Sequence, residues 1–131
     1  MKDIPGIDEH GNPKHGPFEL YFKNGNVSCQ GEFENGKKSG EWKYFLNNGQ
    51  MQSSGHYKDG KISGEWTWFF KNGEPRGIGG FDDNEQKHGK WIRYHKNGQL
   101  WDEGVFEHGK KIGTWVTYDE EGTLLKTQDF K

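Results

Sequence analysis

The sequence contains no alanine in 131 residues. A helical bundle is not expected from such a chain, because its helices would have to be built around 21 glycines, each costing ~1 kcal/mol relative to alanine at a helix position. There is one cysteine, Cys29, so no internal disulfide can form, and a reducing compartment is the simpler setting. Hydrophobic residues make up only 28%, and no apolar run approaches the ~20 residues of a transmembrane helix. Lys and Arg number 18 against 20 Asp and Glu, a net charge of −2. The basic excess of a nucleic-acid binder is missing. The N-terminal Met1-Lys2-Asp3-Ile4-Pro5-Gly6 lacks the apolar stretch of a signal peptide. These absences predict a soluble, cytoplasmic protein with no membrane span and no direct nucleic-acid partner.

What is present is an unusual set of rings. Nine Phe, six Trp and five Tyr form more than half of the hydrophobic residues. High glycine and low hydrophobicity lie near the border of disorder. The rings argue against it, since each can bury roughly 150–250 Å². The composition points to an aromatic-rich β structure with many turns.

The rings and glycines recur in columns. Gly16, Gly40, Gly64, Gly89 and Gly113 are spaced by 24, 24, 25 and 24 residues. Two residues after each stands Phe18, Trp42, Trp66, Trp91 or Trp115, and three further Tyr21, Phe45, Phe69, Tyr94 or Tyr118. A second glycine column follows at Gly25, Gly49, Gly73, Gly98 and Gly122. A third is Gly31, Gly55, Gly79 and Gly104, and two residues past this column lie Phe33, Tyr57, Phe81, Phe106 and Phe130. Five repeats result, at 16–39, 40–63, 64–88, 89–112 and 113–131, preceded by an irregular cap or partial repeat at 1–15. In that cap His10–His15 echoes Asp83–His88, the long corner before Gly89.

Each repeat reads as a β-hairpin. Asn24-Gly25, Asn35-Gly36, Asn48-Gly49, Asp59-Gly60, Asn72-Gly73 and Asn97-Gly98, with His108-Gly109 as a variant, carry the signal of a type I′ turn. The predicted fold is all-β: a single curved antiparallel meander of about five hairpins with a ~24-residue period. The third glycine column predicts close approach by a Trp or Tyr of the neighbouring strand.

The segment Gly-Glu-Trp-Lys-Tyr-Phe-x-Asn-Asn-Gly at 40–49, followed by Gly-His-Tyr-Lys-Asp-Gly-Lys at 55–61, resembles the MORN repeat in its bacterial variant. Residues 104–110 match the same segment. The arrangement over about residues 16–131 is similar to the YwqK-type antitoxin family. The resemblance implies a hairpin sheet, an antitoxin or immunity role, and a cognate protein toxin as partner. It brings no catalytic residues.

No catalytic motif is found by inspection. Gly77-Ile78-Gly79-Gly80 lacks P-loop spacing. The histidines recur with the architecture, and no pair has the close spacing of a zinc site. Neither metal nor cofactor is expected, and Cys29 reads as a buried thiol. Function must then come from a surface. Read on alternate positions, the first strands give Phe18-Leu20-Phe22, Trp42-Tyr44-Leu46, Trp66-Trp68-Phe70, Trp91-Arg93-His95 and Trp115-Thr117-Asp119. One reading is a partner groove with Tyr44, Trp68 and Phe70 as floor, grading into Arg93 and His95. The other is that residues 1–15 cover the patch. Trp101, whose column otherwise holds Ser28, Gln52, Arg76 and Leu125, is a hot-spot candidate. If the toxin is a nuclease or deaminase with a basic cleft, the acidic turns at Asp82, Asp83, Glu85, Asp102 and Glu103 would mimic phosphate and steer encounter. The protein is expected to be a monomer when free. The competing expectation is a scaffold that self-associates or tethers a protein or membrane surface.

Overall fold

A computed structural model of the protein describes residues 4–131, so part of the segment 1–15 lies outside the described residues. Ten strands run in chain order: β1 (Gly16–Tyr21), β2 (Val27–Glu34), β3 (Lys37–Phe45), β4 (Met51–Lys58), β5 (Lys61–Phe69), β6 (Pro75–Phe81), β7 (Lys87–Tyr94), β8 (Leu100–Glu107), β9 (Lys110–Tyr118) and β10 (Leu124–Phe130). They form one sheet in which every strand pairs antiparallel with its sequence neighbours. No helix occurs among the described residues. The all-β meander of five hairpins is thus observed.

The turns fall into two kinds, which corrects the expectation of a type I′ turn at every Asn-Gly. At Asn35-Gly36, Asp59-Gly60 and His108-Gly109 both residues have positive φ, 49° and 83° in the first, as a two-residue hairpin turn requires. At Asn24-Gly25 and its counterparts only the glycine does. There Phe22 N–H donates to the Asn26 carbonyl and Gly25 N–H to the Phe22 carbonyl, closing a five-residue loop. Asn24 Oδ1 accepts the N–H of Asn26, an Asx turn. Between β6 and β7 the two-residue turn is replaced by a loop of the second kind, Asp82–Gln86, with Glu85 at φ 61° in the glycine's place. This corner holds the extra residue of the 25-residue spacing.

Glycine opposite tryptophan organises the sheet. Along β2 and β3, Glu32 pairs with Ser39 and Gln30 with Lys43, so Gly31 alone faces Gly40, Glu41 and Trp42. The same three-against-one interruption recurs at Gly55, Gly79 and Gly104. Gly40, at φ 69°, supplies the positive φ that the bulged stretch needs. The extra chain swings Trp42 back over β2, where a Cβ on Gly31 would fall inside the indole ring. Trp42 Nε1 then donates to the Glu32 carbonyl at 3.0 Å. Trp66, Trp91 and Trp115 donate likewise to His56, Gly80 and Val105.

Burial follows from this arrangement. Trp42 and Trp66 are 0% exposed although the sheet has no second layer. Rings cover rings: Phe33 meets Trp42 edge-on at 5.2 Å and Tyr57 meets Trp66 at 5.3 Å. At the β1 edge the N-terminal segment stands in for a preceding hairpin. Asp8 and Asn12 close a loop with the same hydrogen bonds as Asp82 and Gln86. Gly36 N–H donates to the Lys14 carbonyl, as Gly60 does to Lys38 and Gly109 to Lys87. Ile4, buried, joins the core cluster with Cys29, Phe33 and Trp42.

Candidate functional site

On the tryptophan face a continuous stack runs Trp42, Tyr44, Trp66, Trp68, Trp91, with successive centroids 6.3, 6.4, 6.4 and 5.4 Å apart. Tyr44 is 3% exposed within it. Its hydroxyl lies 2.9 Å from that of Tyr57, and Lys38 Nζ donates to it at 3.1 Å. Burial pushes both phenols above their ordinary range. Tyr44 is core, and the expectation that it floors an open groove is corrected. Alternation assigns a face, but depth is set by the ring packed on the other side.

The stack ends at Arg93. Its Nε and Nη2 fork onto Asp102 Oδ1 and Oδ2 at 3.0 and 2.6 Å. This bidentate bond raises the guanidinium's pKa. The guanidinium also lies 3.9 Å from the centroid of Trp101. Trp101 is the extra residue of a bulge, since Arg93 pairs with Asp102 and Tyr94 with Leu100. It stacks on His95 at 5.4 Å, and His95 Nε2 donates to the Tyr118 carbonyl at 2.8 Å. So Arg93, His95 and Trp101 form one cluster, with Trp101 still 38% exposed.

Beside this cluster the face opens. Gly77 occupies the column that holds Cys29, Ser53 and Asp102 in other repeats. Its register partners are Trp68 on β5 and Arg93 on β7. With no side chain between them, a recess of about 370 Å³ forms, walled by Trp68, Phe81, Trp91, Arg76, Lys87 and Arg93. Phe70 lies alongside, half-buried, its ring 6.0 Å from the Arg76 guanidinium. No described residue of the N-terminal segment lines the recess. A larger depression, about 550 Å³, lies on the opposite face among Glu19, Glu32, Glu41 and Lys43, where Phe18 is the one ring of the tryptophan face that reaches it.

The acidic residues do not gather into one surface. Asp82 Oδ1 accepts the N–H groups of Asn84 and Gln86, and Oδ2 lies 2.7 Å from His108 Nδ1. The His108 bond, helped by these N–H groups, holds the Asp82 carboxyl below its usual range. Glu85 Oε1 accepts the Ile62 N–H. Asp102 is buried against Arg93. Glu103, on the reverse face, lies 3.8 Å from Lys90. Asp83 stands exposed at the corner.

Asp82, His88 and His108 bring ligand atoms within 4.8 Å of one another. The two imidazoles are nearly stacked, 4.7 Å apart and tilted by 31°, so their in-plane lone pairs do not converge on a point. His88 Nδ1 accepts the His108 N–H. The group interlocks two turns.

Inspection of the sequence overlooked a cationic column. Lys14, Lys38, Lys87 and Lys111 stand two residues before the first-column glycines, with Ile62 in the third repeat. Lys38 Nζ lies 4.8 Å from the Tyr57 centroid, Lys87 4.9 Å from Trp91, and Lys111 4.7 Å from Trp115. The spacing alone was sufficient to find it. Glu19, Glu32, Glu41, Glu65 and Glu103 alternate to the opposite face. The near-zero net charge therefore hides an uneven distribution, lysines over the rings and glutamates on the reverse, where Lys43 and Lys90 pair with Glu41 and Glu103.

Five matches to the MORN repeat variant cover residues 14–35, 38–59, 62–83, 87–108 and 111–131. The chain belongs to the MORN repeat variant family. No curated protein matches it. The matched MORN units start at or near the lysine column and include the glycine-tryptophan pairs described above. No helix among the described residues is long and apolar enough to cross a membrane.

Proposed function

We propose that this MORN-repeat protein is a non-enzymatic binding module, and that it acts in the cytoplasm as an antitoxin or immunity protein of the YwqK type, a monomer that neutralises a cognate toxin by stoichiometric binding. The observation that carries the reading is the recess above Gly77, a ring-floored surface beside an exposed Trp101. Aromatic and arginine anchors around a pocket are what protein hot spots are made of. The acidic-mimic version for a nuclease or deaminase toxin loses support, because Asp82, Glu85 and Asp102 are engaged within the fold. The test is to co-express the chain with the product of the neighbouring gene. The reading expects growth rescue and a one-to-one complex on size exclusion. A toxin left active, or no complex, overturns it.

A second reading, self-association as a scaffold, is favoured by β10. This edge strand exposes Leu124 and Leu125, at 54% and 61%, and such an edge is a template for pairing. Light scattering on the purified chain decides: oligomers that dissolve on Leu125→Lys favour the scaffold, and a monomer at all concentrations removes it.

A further inference from the structure

The recess is not something the fold requires. A Cβ on Gly31, Gly55, Gly79 or Gly104 would enter an indole ring. A Cβ on Gly77 would meet only the Ile92 carbonyl oxygen at 3.4 Å and Arg93 Cγ at 3.9 Å, ordinary contacts. The same column accommodates Ser53 and Asp102 with their side chains buried. Packing therefore accepts a side chain at residue 77, and the gap calls for another explanation.

Its rim is positive. Among the described residues no carboxylate makes an ion pair with Arg76 or Lys87. Arg93 spends Nε and Nη2 on Asp102 and keeps the Nη1 donors. The floor is apolar, with Trp68 and Phe81 half-buried. Where the fourth repeat fills the column with its own carboxylate, Asp102, paired across to Arg93 on one side and Thr117 on the other, the third leaves the place empty between Trp68 and that same Arg93.

We infer that the recess above Gly77 receives an acidic segment of a protein partner, with one carboxylate seated among Arg76, Lys87 and Arg93 and an apolar neighbour resting on Trp68. This rests on the binding-module reading and names the chemistry of its partner. The carboxylate takes the position that Asp102 holds one repeat further on. Lysines over the rings, with glutamates on the reverse face only partly offset by Lys43 and Lys90, orient the approach of an acidic surface. A nucleic acid fits less well, because Trp68 is stacked between Trp66 and Trp91, Trp91 is only 9% exposed, and Trp101 already holds His95 and the Arg93 guanidinium against its ring, so these rings offer edges and not open faces for a base to stack on.

The experiment uses fluorescence anisotropy with the full chain and a labelled Asp-Glu-Leu-Glu-Asp peptide. Its comparators are the twin with lysine at every acidic position, an oligothymidylate, and phosphatidylserine vesicles. The expected result is binding of the acidic peptide that weakens as salt rises from about 0.05 to about 0.5 M, with no binding of the lysine twin. Gly77→Asp, which borrows the residue of the fourth repeat, should weaken it by about tenfold or more, while Gly77→Ser retains the native melting curve. Arg76→Glu, at an exposed position, repeats the test should Gly77→Asp fail to fold. Absent binding, equal binding of the twin, indifference to both substitutions, or tighter binding of the oligonucleotide or vesicles overturns the inference. A toxin complex that forms equally well with Gly77→Asp removes this site and leaves the binding-module reading standing.

Discussion

The indole of Trp66 covers the Cα of Gly55, and its Nε1 donates to the carbonyl of the next residue, His56, at 3.1 Å. The ring thus needs a glycine beneath it and a backbone acceptor beside it. Gly55→Val places three carbons where the ring lies. The expected cost is about 3 kcal/mol, read as a fall in the urea midpoint. Gly77→Ala is the control, since its Cβ meets ordinary contacts, and it should leave the midpoint within about 0.5 kcal/mol. Equal effects of the two substitutions would refute the ring-on-glycine account.

This relationship was partly legible in the sequence. The columns placed a ring opposite each third-column glycine, and the hairpin count gave the ten strands. The three-against-one interruption was not legible, because Gly40 reads like any other glycine until its φ is known. Nor could two identical dipeptides be told apart: Asn24-Gly25 and Asn35-Gly36 share a sequence, yet only the second has both residues at positive φ. Tyr44 was placed on the right face and at the wrong depth. Carboxylates are harder still, since a turn residue such as Asp82 becomes a cap only when its backbone donors come within reach. The lysine column was present all along, at a fixed offset from glycine.

The Tyr44 and Tyr57 hydroxyls, 2.9 Å apart and buried, make stability sensitive to alkali. In the unfolded chain both phenols ionise near their ordinary value of about 10. In the folded chain burial raises both. Above about pH 10 the unfolded state therefore binds fewer protons than the native one, and stability falls as pH rises. Urea midpoints measured from about pH 8 to about pH 11 should be level and then drop. The double variant Tyr44→Phe/Tyr57→Phe should flatten that drop, and an unchanged slope would assign it to other groups.

Ser53 is 1% exposed and its hydroxyl has no hydrogen-bond partner. A buried, unsatisfied hydroxyl costs free energy that an apolar replacement of similar size avoids. Ser53→Ala is expected to stabilise the protein by about 1 kcal/mol. Chemical denaturation with an unchanged slope would show the gain as a higher midpoint, and a lower midpoint would mean the hydroxyl is satisfied in solution.

Asp82 closes the β6–β7 corner and reaches His108 of the next two-residue turn, with its side chain 10% exposed. Its folded pKa lies below the ordinary 3.8, first because of the His108 hydrogen bond. A depressed carboxylate stabilises above its unfolded pKa, and the contribution is lost as pH falls through the folded value. Asp82→Asn should therefore melt below the wild type at neutral pH. The two curves should approach each other as the pH falls through the folded value and the wild-type carboxyl takes up its proton. His108→Asn, which installs the residue found at Asn35 in the first repeat, should remove part of the same gap. A difference between wild type and Asp82→Asn that stays constant with pH would show that Asp82 acts through its backbone caps alone.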